Sequence, residues 1–166
     1  MTNEPDINLS NELALAIRIA DAADAISLPY FERQNFTLSR KADQSEVTEA
    51  DRNTETAIVE LIAQHRPDHA IYGEEHGHAG NASSPWKWVI DPIDGTTNFV
   101  NGIPFFGVAI AYIAEGRTRY GVVYNPMTDE AFYAEEGGGA FLNGTALPLR
   151  TPARHLLDAV AGVDFK

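Results

Sequence analysis

The stretch Trp88–Phe99, WVIDPIDGTTNF, decides how the rest of the chain is read. An apolar run stops at Asp91, and Pro92, Asp94, Gly95, Thr96, Thr97 and Asn98 follow. A carboxylate at the end of a strand has a fixed backbone behind it, and Pro92 stiffens the exit. Asp94 is expected across a tight turn that Gly95 permits. Two carboxylates so placed can share one cation, or hold two about 3.5–4 Å apart. The Ile93 carbonyl between them is another hard oxygen. Thr96 and Thr97 add hydroxyls, and exposed N–H groups there can meet an anion if a helix starts at this point. The bland alternative is an Asp-rich turn in which Thr96 or Thr97 merely caps a helix.

Working outward, WKWVI reads as a strand and the residues before it, HGHAGNASSP, as a loop with no apolar pattern. Upstream, AIYGEE is a short strand ending at Gly73, Glu74 and Glu75. Before that, Ala50, Thr54, Ala57, Ile58, Leu61 and Ile62 recur at helical spacing. Thr48 and Asp51 form a capping-box pattern at the head of this helix, and Pro67 stops it. The segment 34–46, which contains Lys41, reads as a strand-turn or exposed loop. An earlier helix starts at Ser10, and Pro29 should end or kink it. Residues 1–9 read as a flexible tail.

Downstream, Phe105–Ala114 reads as a strand buried on both faces. TRYGVVYN, AFYAEE and AFLNGTALPL follow as further strands joined by short turns, the last built on Asn-Gly. Short connections imply an antiparallel meander. The expectation is an α+β layered sandwich, with a mostly antiparallel sheet packed on helices, over residues 10–166. LLDAVAGVDFK looks like an apolar strand beginning, so the chain is expected to be truncated, with a C-terminal half absent.

Composition narrows the function classes. Net charge is −12, which disfavours nucleic acid and anionic membrane as partners. Clustered carboxylates suit Mg²⁺, Mn²⁺ or Ca²⁺. Cysteine is absent, which excludes disulfides and thiolate-ligated metals and makes a cytoplasmic setting the expectation. The five histidines show no metal-site spacing. IDGT also suggests phosphatases of the haloacid-dehalogenase type, whose D-x-D-G-T begins with a nucleophilic aspartate. That position is Pro92 here, and proline cannot attack phosphorus, so covalent aspartyl catalysis is excluded.

With VTEAD (47–51), GEE (73–75), WVIDPIDGTTNFVNGIPFFGVAIA (88–111), GVVYNP (121–126) and GGGAFLNG (137–144) in order, the chain resembles the inositol monophosphatase family of Mg²⁺-dependent, lithium-sensitive phosphatases. The resemblance implies that fold, a small phosphorylated substrate and a homodimer. It implies two or three Mg²⁺ ions, with Mn²⁺ as a substitute. Glu74, Asp91 and the Ile93 carbonyl would hold the first ion. Asp91 would bridge to the second, which Asp94 also binds. Gly95 and Thr96 would present N–H groups to the phosphate, and Asp51 with the Thr96 hydroxyl would orient and deprotonate the attacking water. Glu75 would stand near an additional weak ion, with Lys41 and Thr97 as weaker members of the site.

The family completes its second metal site with an aspartate from a later W-D motif. Trp86 and Trp88 are the only tryptophans here, and neither precedes an aspartate. Residues 1–166 alone are therefore expected to be weakly active or inactive. Histidinol-phosphate phosphatases of the family often carry Lys, Arg or Ala where this chain has Thr97, so inositol-1-phosphate is the first expected substrate and histidinol phosphate the second. A non-catalytic regulatory protein of the same fold is the third reading.

Overall fold

Ser10 opens the first helix, α1 (Asn11–Arg33), by accepting the Leu13 N–H on its side-chain oxygen. The computed structural model describes residues 10–148; the tail read at 1–9 and the apolar stretch 156–166 lie outside the described residues. Leu13, Leu15, Ala16, Ile19, Ala20 and Ala23 give α1 a buried stripe. Pro29 does not end the helix, so of the two expected outcomes, a stop or a kink, the stop is excluded. The proline forgoes one ladder bond, yet the helix runs a further turn, to Arg33. There Gln34 adopts a left-handed conformation (φ 49°) and donates its N–H to the Tyr30 carbonyl. Packing explains the extra turn: Tyr30 and Phe31 rest on a cluster of Ala50, Ile93, Phe99 and Phe106, with the Phe31 and Phe106 ring centroids 4.9 Å apart.

Strands β1 (Leu38–Arg40) and β2 (Glu46–Thr48) form an antiparallel hairpin, in line with the strand-turn reading. Thr48 then caps α2 (Glu49–His65) with a reciprocal box. Its hydroxyl accepts the Asp51 N–H, while the Asp51 carboxylate accepts the Thr48 N–H at 2.8 Å.

The remaining strands are β3 (Ala70–Gly73), β4 (Gly77–Gly80), β5 (Trp86–Asp94), β6 (Gly107–Ala114), β7 (Arg117–Asn125), β8 (Glu130–Glu135), β9 (Gly139–Leu142) and β10 (Thr145–Ala146). They form one sheet in the order β10-β9-β8-β7-β6-β5-β3-β4. Every neighbouring pair is antiparallel except β3 and β5, which run parallel. The layered, mostly antiparallel α+β architecture is as expected. A five-residue helix, α3 (Thr96–Val100), follows β5 directly.

Two readings are corrected. HGHAG is not loop: Gly77–Gly80 is β4, an edge strand held by backbone pairing to β3, which needs no apolar side chains. β6 is not buried on both faces. Val108, Ile110 and Tyr112 are buried, whereas Ala109 and Ala111 look onto an apolar groove of about 670 Å³ that Val123, Phe132 and Phe141 also line. On the covered face, α1 and α2 pack against the sheet around the fully buried Trp88. At about 25 cal/mol per Å² over the roughly 150–250 Å² an aromatic side chain buries, that residue contributes on the order of 4–6 kcal/mol. Its indole N–H donates to His69 Nδ1 at 3.0 Å.

Candidate active site

The parallel pairing of β3 and β5 sets the first contact. Gly73 lies opposite Ile90, and the Glu74 N–H donates to the Ile90 carbonyl at 3.2 Å. Glu74 therefore leaves the end of β3 beside Asp91, close enough for the two carboxyl groups to act on each other. Burial, then the charges of Glu74 and Asp94, raise the Asp91 carboxyl far above the ordinary carboxylate range.

Asp91 and Asp94 are not separated by a tight turn, as the sequence suggested. Both belong to β5, and between them the register against β6 slips: Asp91 faces Ala109 and Asp94 faces Gly107. Residues three apart on a regular strand point to opposite sides, because the side-chain period is two. One extra residue changes that parity. Asp91 and Asp94 thereby line the same cleft, about 590 Å³ in volume, together with Glu74, the Ile93 backbone, Gly95 and Thr96. The Asp91 side chain also accepts the Ile93 N–H at 3.1 Å, tightening the kink.

Gly95 ends the strand in a left-handed conformation (φ 96°). A Cβ there would stand 3.2 Å from the Phe105 carbonyl oxygen, so the dihedral favours glycine and the space is tight for any side chain. The chain then turns into α3. The Thr96 hydroxyl lies 3.1 Å from an Asp51 carboxylate oxygen and 3.1 Å from the Ile93 carbonyl, with one proton to give. The other Asp51 oxygen accepts from the Thr48 hydroxyl and N–H. Asp51 is 1% exposed. Burial raises its carboxyl, and the bonds from Thr48 and Thr96 only partly offset that.

Lys41, from the β1–β2 hairpin, reaches across the cleft. Its ammonium lies 2.7 Å from Glu74 and 2.6 Å from Glu75. Burial works against this ammonium, but the bonds to the two glutamates outweigh it and hold its proton more tightly than usual. Burial raises the Glu75 carboxyl as well, and Lys41 opposes it. Thr97 lines the same cleft.

Every residue singled out in the sequence thus lies in or beside one cleft. As placed, no three carboxylate or imidazole side chains among the described residues stand close enough to grip one ion. The donor chemistry nevertheless fits a hard divalent cation: the carboxylates of Glu74, Asp91 and Asp94 and the Ile93 backbone line the same cleft, and burial with the neighbouring negative charges raises the Asp91 carboxyl. Two contributors escaped the sequence reading. The hairpin residues Arg40, Asp43 and Ser45 line the cleft wall. Glu55 lies fully buried behind Glu75. It shares the buried face of α2 with Ala50, Asp51, Thr54, Ile58 and Ile62, one turn after Asp51.

Comparison with known proteins shows the family and the fold. The sequence profile of the Inositol monophosphatase family matches residues 8–163. A histidinol-phosphatase of Chlorobaculum parvum is 38% identical over 92% of this chain and 58% of its own. An inositol-1-monophosphatase of Rhizobium meliloti is 41% identical over 85% of this chain and 53% of its own. The crystal structure of the extragenic suppressor protein suhB from Bartonella henselae superposes with a TM-score of 0.78 at 37% identity, covering 82% of this chain and 54% of that one. The chain spans about half the length of the curated relatives it matches.

Proposed function

The chain belongs to the inositol monophosphatase family, and on that premise we propose that the intact protein is a Mg²⁺-dependent phosphomonoesterase acting on inositol-1-phosphate. One observation carries the reading: Glu74, Asp91 and Asp94 open onto the same cleft as the Asp51–Thr96 pair. The three carboxylates and the Ile93 carbonyl would hold two or three Mg²⁺ ions, or Mn²⁺ in their place, with Glu75 beside the weakest. Such ions neutralise a phosphate dianion, acidify water and stabilise a leaving alkoxide.

The residues themselves handle the proton. Asp51 is too buried to meet solvent directly, but the Thr96 hydroxyl touches it from the cleft side. A water that donates to Thr96 Oγ1 sends a proton towards Asp51, whose proton affinity burial raises above that of an ordinary carboxylate. The N–H groups of Gly95 and Thr96 orient the phosphate, Lys41 and Thr97 line its approach, and the fixed β5–α3 corner keeps attack in line.

Histidinol phosphate is the competing substrate, favoured by the 38% identity to a histidinol-phosphatase across 92% of the chain. Phosphate release by the intact protein, measured on both esters with and without Mg²⁺, decides between them. Absence of Mg²⁺-dependent release from either, with calorimetry finding no Mg²⁺ or Mn²⁺ bound, moves the reading to a non-catalytic regulatory protein. Light scattering of the same sample tests the homodimer.

A further inference from the structure

Glu55 has no place in the reaction described above, yet it is fully buried and bonded through both carboxylate oxygens. One oxygen accepts the Glu75 N–H and the other the His76 N–H, each at 2.7 Å. These are short, charge-assisted bonds to consecutive amides of the β3–β4 turn. The space for the carboxylate exists because residue 73 is glycine: a Cβ on Gly73 would fall within van der Waals overlap of Glu55 Oε1. Asp51 and Glu55 lie one turn apart on α2. Asp51 reaches the β5–α3 corner through Thr96, and Glu55 reaches the turn that carries Glu74 and Glu75.

We infer that Glu55 is a positioning residue that fixes the Glu74–Glu75 turn for cation binding, so that one rigid helix sets the spacing between the two halves of the site. This inference rests on the metal-site reading above. Without the carboxylate, two buried N–H groups lose their acceptors and the turn regains the freedom to carry Glu74 away from Asp91. Partners standing behind metal ligands typically change affinity by about 10–100-fold when removed.

The test uses Glu55→Gln, which keeps the shape but sets an NH₂ group against one amide, and Glu55→Asp, which keeps the charge but withdraws it by one methylene. Hydrogen exchange is followed residue by residue by NMR, and Mn²⁺ affinity by calorimetry. In the wild type the Glu75 and His76 amides are protected. In both variants their exchange accelerates by about tenfold or more while the α2 amides keep their protection, and Mn²⁺ binds about 10–100-fold more weakly. Unprotected Glu75 and His76 amides in the wild type overturn the assignment with no variant needed. So does faster turn exchange with Mn²⁺ affinity unchanged. Global unfolding of both variants would make Glu55 a folding determinant and also ends the positioning role. A wild-type protein that binds no Mn²⁺ overturns the metal reading instead, a result the exchange data distinguish.

Discussion

Asp24, on the buried side of α1, lets a stability effect be worked out with its sign. It is 6% exposed, and its Oδ1 has no hydrogen-bond partner among the described residues. Burial, then the charges of Asp21 and Asp129, push its carboxyl up to about 7. Asp129 is itself fixed nearby by the Tyr124 hydroxyl, which donates to it at 2.6 Å. The unfolded chain releases this proton near the ordinary value of 3.8. Between those values the folded state holds a proton that the unfolded state has lost, so stability falls as pH rises, and above about 7 the loss is complete. At 1.36 kcal/mol per pH unit the full penalty is at most roughly 4 kcal/mol. Asp24→Asn removes the ionisation and adds a buried amide costing about 1–3 kcal/mol. That cost is the same at every pH, so the difference between two pH values isolates the carboxylate. From pH about 5 to about 8, the effect of Asp24→Asn on unfolding free energy should become more favourable by about 2–3 kcal/mol. Urea denaturation of both proteins at the two pH values reads this directly. Substitution effects agreeing within about 0.5 kcal/mol would refute the reasoning, because Asp24 would then ionise in the fold as easily as in water.

Asp91→Asn should lower Mg²⁺-dependent turnover of the intact protein by at least about 100-fold and abolish calorimetric cation binding. In metal-free buffer above neutral pH the same variant should unfold later than wild type, since it relieves the buried repulsion with Glu74 and Asp94. Lys41→Gln removes an ammonium that competes for Glu74 and Glu75. A partly exposed pair of this kind is worth about 0.2–1 kcal/mol, so Mn²⁺ should bind up to about fivefold more tightly, and weaker binding would contradict the competition. Gly95→Ala forces a side chain into a left-handed conformation against the Phe105 carbonyl. It should cost about 1–3 kcal/mol in chemical denaturation, and a neutral result would mean that the β5–α3 corner is not constrained as described.

What the sequence revealed follows from how locally each feature is encoded. The capping box of Thr48 and Asp51 occupies four consecutive residues, and the structure has it as read. The meander from β6 to β10 was readable because each turn carries its own chemistry, as at Asn143-Gly144. Pro29 pointed to a stop or a kink because its backbone penalty is local; that the helix does not stop reflects an aromatic cluster drawing on residues from 50 to 106. β4 was missed for the complementary reason: its pairing is carried by backbone groups, and its sequence GHAG has no apolar period. The cleft-lining hairpin and the buried Glu55 depend on contacts across tens of residues, which no spacing rule contains.

The D-P-I-D spacing shows how two acids can be brought to one cleft by a local structure other than the one expected. A separation of three suits a turn, where both carboxylates come to one side, and it has the wrong parity for a strand. The chain nevertheless continues as strand, which keeps Ile93 buried against Phe99 and Phe106 and preserves the ladder to β6. The register slip between Asp91 and Asp94 reconciles the two demands. It costs regular pairing at one point and in return brings both acids to one side while the Ile93 side chain stays in the core. A turn at the same place would free the backbone behind Asp94. A bulged strand ending in a left-handed glycine holds it to β6 on one side and to α3 on the other. The acids are therefore held by main-chain hydrogen bonds, and their mutual repulsion cannot be relieved simply by swinging apart. Burial, with the negative charges of Glu74 and Asp94 beside it, accordingly raises the Asp91 carboxyl.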